Sequence, residues 1–94
     1  MLSTIPINLD KIDQKNLDAE ILRAGIIAEL DAINLYEQMA AMAQDGNIKA
    51  MLLDIAKEEK THVGEFQALL LNRDAEQVKE LAVGKEEVKK EVDE

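Results

Sequence analysis

Glu59 and His62 are the pair in this sequence whose types and spacing suit chemistry, and His62 is the only histidine. Three residues apart on a helix, a carboxylate and an imidazole share one face within a turn, where both reach the same cation. On such a helix Ile48, Leu52, Ile55, Glu59, His62, Phe66 and Leu70 fall within roughly 80° of one another. The pair therefore interrupts an apolar stripe, and burying it without a partner is costly. Helical bundles that hold two metal ions use one Glu-x-x-His on each of two helices. This chain carries one, which is half a ligand set.

Composition narrows what that half-set can belong to. Ninety-four residues make one small domain, near the lower limit for a self-sufficient core. The net charge of −9 argues against nucleic acid or an anionic membrane as a partner, since both select a basic surface. With no cysteine, disulfides, zinc fingers and a thiolate-bound iron are excluded. The N-terminus lacks a basic, apolar, small-residue leader, and no apolar run approaches membrane-spanning length. These features predict a soluble, cytoplasmic protein.

The elements that must position the pair are helical, and the fold class expected is all-α. Residues 1–15 form an N-terminal arm whose first twelve residues, with Pro6 and alternating Ile5, Ile7 and Leu9, look extended. Residues 16–72 form an antiparallel helical hairpin. Its first helix runs from about Leu17 to Gln44, with Asp13 or Asn16 as cap. Glu29 lies on the face of Leu22, Ile26, Ile33, Tyr36 and Ala40, about 160° from Asp31 on the polar side. Asp45-Gly46-Asn47 is the turn, with glycine supplying unusual backbone angles. The second helix spans about Ile48 to Leu71, with Lys57, Lys60 and Thr61 on its back. Asp74-Ala75-Glu76-Gln77 resembles a capping box opening a short helix over residues 75–82, with Val78 and Leu81 facing in and Gly84 ending it. A Lys/Glu-rich tail completes residues 74–94 of this single domain.

The turn fixes the register. Antiparallel neighbours across it have residue numbers summing to roughly 92, and Glu29 with Glu59 or His62 comes close to that. Both Glu29 and His62 lie roughly 21–23 Å from the turn. Two acids and an imidazole meeting level in an apolar layer are strongly unfavourable if empty, and a cation removes that penalty. One hairpin also carries more apolar surface than it can bury. Two hairpins paired by two-fold symmetry make a four-helix bundle and bring two sets of Glu29, Glu59 and His62 together. Four carboxylates and two imidazoles suit iron or manganese, and zinc can be held by the same ligands. Six side chains for two metals leave positions open for oxygen or water.

Neighbouring residues take lesser parts. Tyr36, two turns from Glu29 on the same face, is placed to hydrogen-bond a ligand carboxylate or supply an electron. Glu58 lies about 100° from Glu59 and points to solvent. Met39, Met42 and Met51 read as gap-filling core. Asp31 and Glu37 read as surface charges, with Asp31 the secondary candidate for a route leading cations inward.

The runs I-I-A-E-L-D-A-I-N-L-Y-E-Q-M-A from Ile26 to Ala40 and E-E-K-T-H-V-G-E-F from Glu58 to Phe66 resemble the encapsulated ferritin family. These are ferritin-like proteins housed in encapsulin nanocompartments, in archaeal cases as a domain fused to the shell protein. The resemblance covers roughly residues 20–82. It implies a ferroxidase that oxidises Fe(II) with O2 at a di-iron site between two chains, with Glu29, Glu59 and His62 as ligands and Tyr36 beside them. Two irons per dimer interface are implied, with calcium, manganese or zinc as substitutes. A homodimer, a ring of five dimers, an encapsulin shell partner, and iron storage and detoxification inside the compartment are implied as well. Family members can carry more acids around the first ligand; here Ala28 and Asn34 are neutral, which leaves Asp31 as the clearest candidate for the entry path. The usual apolar C-terminal targeting peptide is absent, which leaves a shell-fused domain, a different address, or Leu81-Ala82-Val83-Gly84. Two alternatives remain: a helical assembly module with a structural interface metal, and a rubrerythrin-like peroxidase, for which no cysteine-bound iron is available.

Overall fold

The computed structural model describes residues 8–11 and 13–92. Two single turns of 3-10 helix, Leu9–Lys11 and Gln14–Asn16, lead into α1 (Leu17–Met42), α2 (Gly46–Leu71) and α3 (Ala75–Val92). Among the described residues there is no strand, and α1 and α2 pack along each other as the expected antiparallel hairpin. The extended arm falls on residues 1–7, with Ile5, Pro6 and Ile7, and on Ile12, which all lie outside the described residues. Leu9–Lys11, expected within it, is helical.

Local chemistry explains each boundary. Asp13 acts one step earlier than a cap for α1: its side chain accepts from Lys15 N–H at 3.4 Å and opens the second 3-10 turn. Asn16, at the start of α1, makes no capping bond with its side chain. The reversal between α1 and α2 is made by Ala43 and Asp45, both extended (φ −67°, ψ 136° and φ −78°, ψ 128°). Asp45 Oδ1 then accepts from Asn47 N–H at 2.9 Å and Ile48 N–H at 3.0 Å, a cap of about 1 kcal/mol. Gly46 is the first residue of α2 and has no positive φ, so the turn does not draw on glycine's backbone freedom.

α3 is more than twice the length expected, because Gly84 does not end it. Glycine inside a helix costs about 1 kcal/mol relative to alanine. Helix formers follow it, Glu86 and Lys90 stand four apart, and Lys89 and Lys90 lie in the last turn where cations favour the helix dipole. The start is as the sequence suggests: Asp74 Oδ1 accepts from Gln77 N–H at 3.0 Å.

α3 leaves the hairpin near its root and packs along neither long helix. The extents are 47 × 45 × 20 Å and the radius of gyration is 16.7 Å. A compact chain of this length would have about 12 Å. Val78 and Leu81 are therefore exposed, not inward-facing. Buried apolar residues are Ile33, Ala40, Ala56 and Leu70. Met39, Met42 and Met51 are also exposed on the single chain, together with Ile21, Ile27, Leu30, Ile48, Leu53 and Leu69. Two helices cover one stripe of each other, and the apolar flanks beyond that stripe have no cover here. Two ion pairs fasten the open end of the hairpin to the α2–α3 corner: Arg23 to Asp74 at 2.9 Å and Arg73 to Asp18 at 3.5 Å.

Candidate metal centre

Glu29 comes from the middle of α1, and Glu59 and His62 from α2. His62 Nδ1 lies 3.4 Å from Glu29 Oε2 and 3.4 Å from Glu59 Oε2. One ligand atom from each of the three falls within 4.8 Å of the others. Two donors bonded to one ion at about 2.1 Å stand at most about 4.2 Å apart, so the trio needs to contract only slightly to hold a cation. The helical phase and the register of the turn both place these residues level, and neither helix distorts to do it.

The hydrogen bonding of the trio is incomplete in an informative way. Glu29 Oε2 is out of reach of water and has no hydrogen-bond donor, although His62 is near. Leaving a buried acceptor unsatisfied costs about 1–3 kcal/mol, and more when it is charged. His62 has a 3.4 Å contact to Glu59, long for a hydrogen bond between these groups. The three groups thus surround a common point more than they bond to one another. Two hard oxygens and one imidazole nitrogen make a donor set suited to iron, manganese or zinc. The Glu29 and Glu59 side chains are 20% and 18% exposed against 44% for His62, so the trio opens to one side, past the imidazole.

The other residues singled out by sequence fall as follows. Glu58 is exposed. Tyr36 is half-buried two turns along α1 from Glu29. Glu37 is at the surface but is paired with Lys60 at 3.3 Å, which puts Lys60 at the edge facing α1, not on the back of α2. Asp31 is the clear departure. It is only 7% exposed and has an interaction partner, so it is buried where the sequence reads a surface charge. A helical wheel places it opposite Glu29 but does not tell whether another part of the chain covers that side.

Gly25 and Phe66 are the site's neighbours that pattern reading passed over. Gly25 sits one turn before Glu29 on α1, and the Phe66 ring packs onto it one turn after His62 on α2. A glycine on the apolar stripe of an otherwise regular helix was the available signal, since such a glycine has a packing reason.

Known proteins resemble this chain in sequence and in fold. The Rubrerythrin family profile matches residues 20–94. A ferritin-like–encapsulin shell fusion protein of Pyrococcus furiosus is 64% identical over 91 residues, covering 95% of this chain and 26% of that protein. An encapsulin nanocompartment cargo protein of Myxococcus xanthus is 37% identical over 82 residues, covering 84% of this chain and 61% of that one. The chain thus spans about a quarter of the first relative and less than two thirds of the second. The crystal structure of the encapsulated ferritin domain from Pyrococcus furiosus superposes with a TM-score of 0.85 at 59% identity, covering 100% of this chain and 98% of that one.

Proposed function

The chain belongs to the encapsulated ferritin family, helical proteins of the rubrerythrin and ferritin-like kind, and from that premise we propose that it is a ferroxidase. Its substrates are Fe(II) and O2. Each Fe(II) gives up one electron, and four of them with one O2 and four protons balance to four Fe(III) and two water molecules. The observation that carries the reading is the buried oxygen of Glu29, which faces Glu59 and His62 and has no hydrogen-bond donor.

Each residue has a part. Glu29 and Glu59 supply hard anionic oxygens, which hold Fe(II) and favour Fe(III) still more as charge builds up. His62 supplies an imidazole nitrogen as the third donor. Tyr36, on the same face of α1, supports the trio by hydrogen bonding or electron donation. Bound iron would supply the one-electron chemistry that Glu29, Glu59 and His62 do not offer.

The trio is half of the working site in this proposal. By helical phase the exposed Ile48, Met51 and Leu69 lie along the same side of α2 as His62, and a second copy of the chain covers that face. The two trios then give a four-helix bundle with four carboxylates and two imidazoles for two irons, in which manganese, calcium or zinc substitute without turnover. Partnership with an encapsulin shell and residence in its compartment extend the reading from the relatives' names to this chain, and further assembly as a ring of five dimers is part of the proposal. Among the described residues no helix is long and apolar enough to cross a membrane.

The test is aerobic addition of Fe(II), following oxygen consumption and ferric absorbance. Glu59→Ala and His62→Ala should abolish turnover while leaving helicity intact. Full metal occupancy with oxygen uptake no faster than buffer would leave only a structural metal.

A further inference from the structure

We propose that the Gly25–Phe66 contact is the spacer that sets the separation of α1 and α2 at the metal centre. Both are then positioning residues for Glu29 and His62, an inference that rests on the metal reading above. A Cβ built on Gly25 would stand 3.2 Å from Phe66 Cε1, 3.2 Å from Cζ and 3.3 Å from Cδ1. That is tighter than carbon atoms normally approach, so the ring edge occupies the space a side chain at position 25 would fill. Gly46, Gly64 and Gly84 have nothing within 4 Å of such an atom, so the close approach is particular to Gly25.

The placement makes the contact matter. Gly25 precedes Glu29 by four residues and Phe66 follows His62 by four, so the two pairs form adjacent rungs, about 6 Å apart along the hairpin. Helices are stiff over one turn, so the separation at one rung is passed to the next. The ligand atoms of the trio lie within 4.8 Å of one another, already wider than the about 4.2 Å at which two donors share one ion. A few tenths of an ångström added at the Gly25 rung therefore loosens the trio. Glycine in the middle of α1 lowers helix propensity by about 1 kcal/mol relative to alanine. Helix propensity alone favours alanine here, and the packing of Phe66 accounts for glycine.

The proposal distinguishes site geometry from stability. In the full-length chain, Gly25→Ala should keep or raise helicity while weakening Co(II) binding about tenfold, with a changed Co(II) visible absorption spectrum. The double variant Gly25→Ala/Phe66→Leu, which removes the outer ring atoms, should restore most of the affinity and the spectrum. Wild-type affinity and spectrum in Gly25→Ala would overturn the spacer and leave the metal reading intact. So would a loss in Gly25→Ala that the second change does not relieve. Wild-type protein that fails to bind Co(II) would overturn both, which separates the two failures.

Discussion

Replacing Glu29 by glutamine should make the metal-free protein more stable and the metal-binding protein worse. The change keeps the shape of the side chain and removes its charge. Glu29 Oε2 is a buried oxygen with no donor, beside the carboxylate of Glu59. A buried acceptor left unsatisfied costs about 1–3 kcal/mol. Glutamine relieves that cost by losing the charge and by offering an amide N–H to Glu59 or His62. A domain of this length gains about 4–8 °C in Tm per kcal/mol, so the expected rise is about 4–24 °C. The same change removes an anionic ligand, so affinity for Fe(II) or Co(II) should fall by well over tenfold. The assay is a thermal melt by circular dichroism at one fixed protein concentration, with chelator and with added metal. Concentration must be fixed because association also shifts Tm. Glu58→Gln is the control: Glu58 is exposed, and its change should be worth less than about 0.5 kcal/mol. The reasoning fails if metal-free Glu29→Gln melts at or below wild type, because Glu29 would then not be strained by an empty site.

Two further outcomes test the scaffold. The backbone N–H of Gln77, and then the Arg23 guanidinium, hold the Asp74 carboxyl below its ordinary value. Its folded-state pKa is thus lower than its unfolded one, so the stability it contributes is complete above the unfolded value of about 3.9. That contribution is lost as pH falls through the lower folded value, and Asp74→Asn should flatten the acid limb of a Tm-against-pH curve below about pH 4. A limb of unchanged steepness would assign the acid sensitivity to other carboxylates. Gly84 has open space around its Cα and lies inside α3, so Gly84→Ala should stabilise that helix by about 1 kcal/mol. Amide hydrogen exchange of residues 80–88 should slow in that variant, and exchange as fast as wild type would mean that α3 opens elsewhere.

What could be read from the sequence divides along a physical line. The meeting of Glu29, Glu59 and His62 depends on quantities local to the hairpin: helical phase, rise per residue and the position of one turn. Sequence carries all three, and errors of a residue at the turn hardly moved the register. It made little difference that α2 starts at Gly46 instead of Ile48, or that the reversal uses extended Ala43 and Asp45. Asp31, Met39, Met42 and Met51 depend on something else, namely what lies beyond the hairpin. Periodicity gives the direction of a side chain, whereas burial depends on whether anything stands in that direction. The methionines point into the expected core and find no cover on one chain, while Asp31 points away from it and is buried. Gly84 is a contest of magnitudes, in which a cost of about 1 kcal/mol loses to the helix formers around it. Gly25 is the instructive case. Counting apolar residues treats a glycine on the stripe as a gap, yet the gap is filled by Phe66 from the facing helix. The missing Cβ marks where the Phe66 ring reaches the backbone of α1, one turn from Glu29.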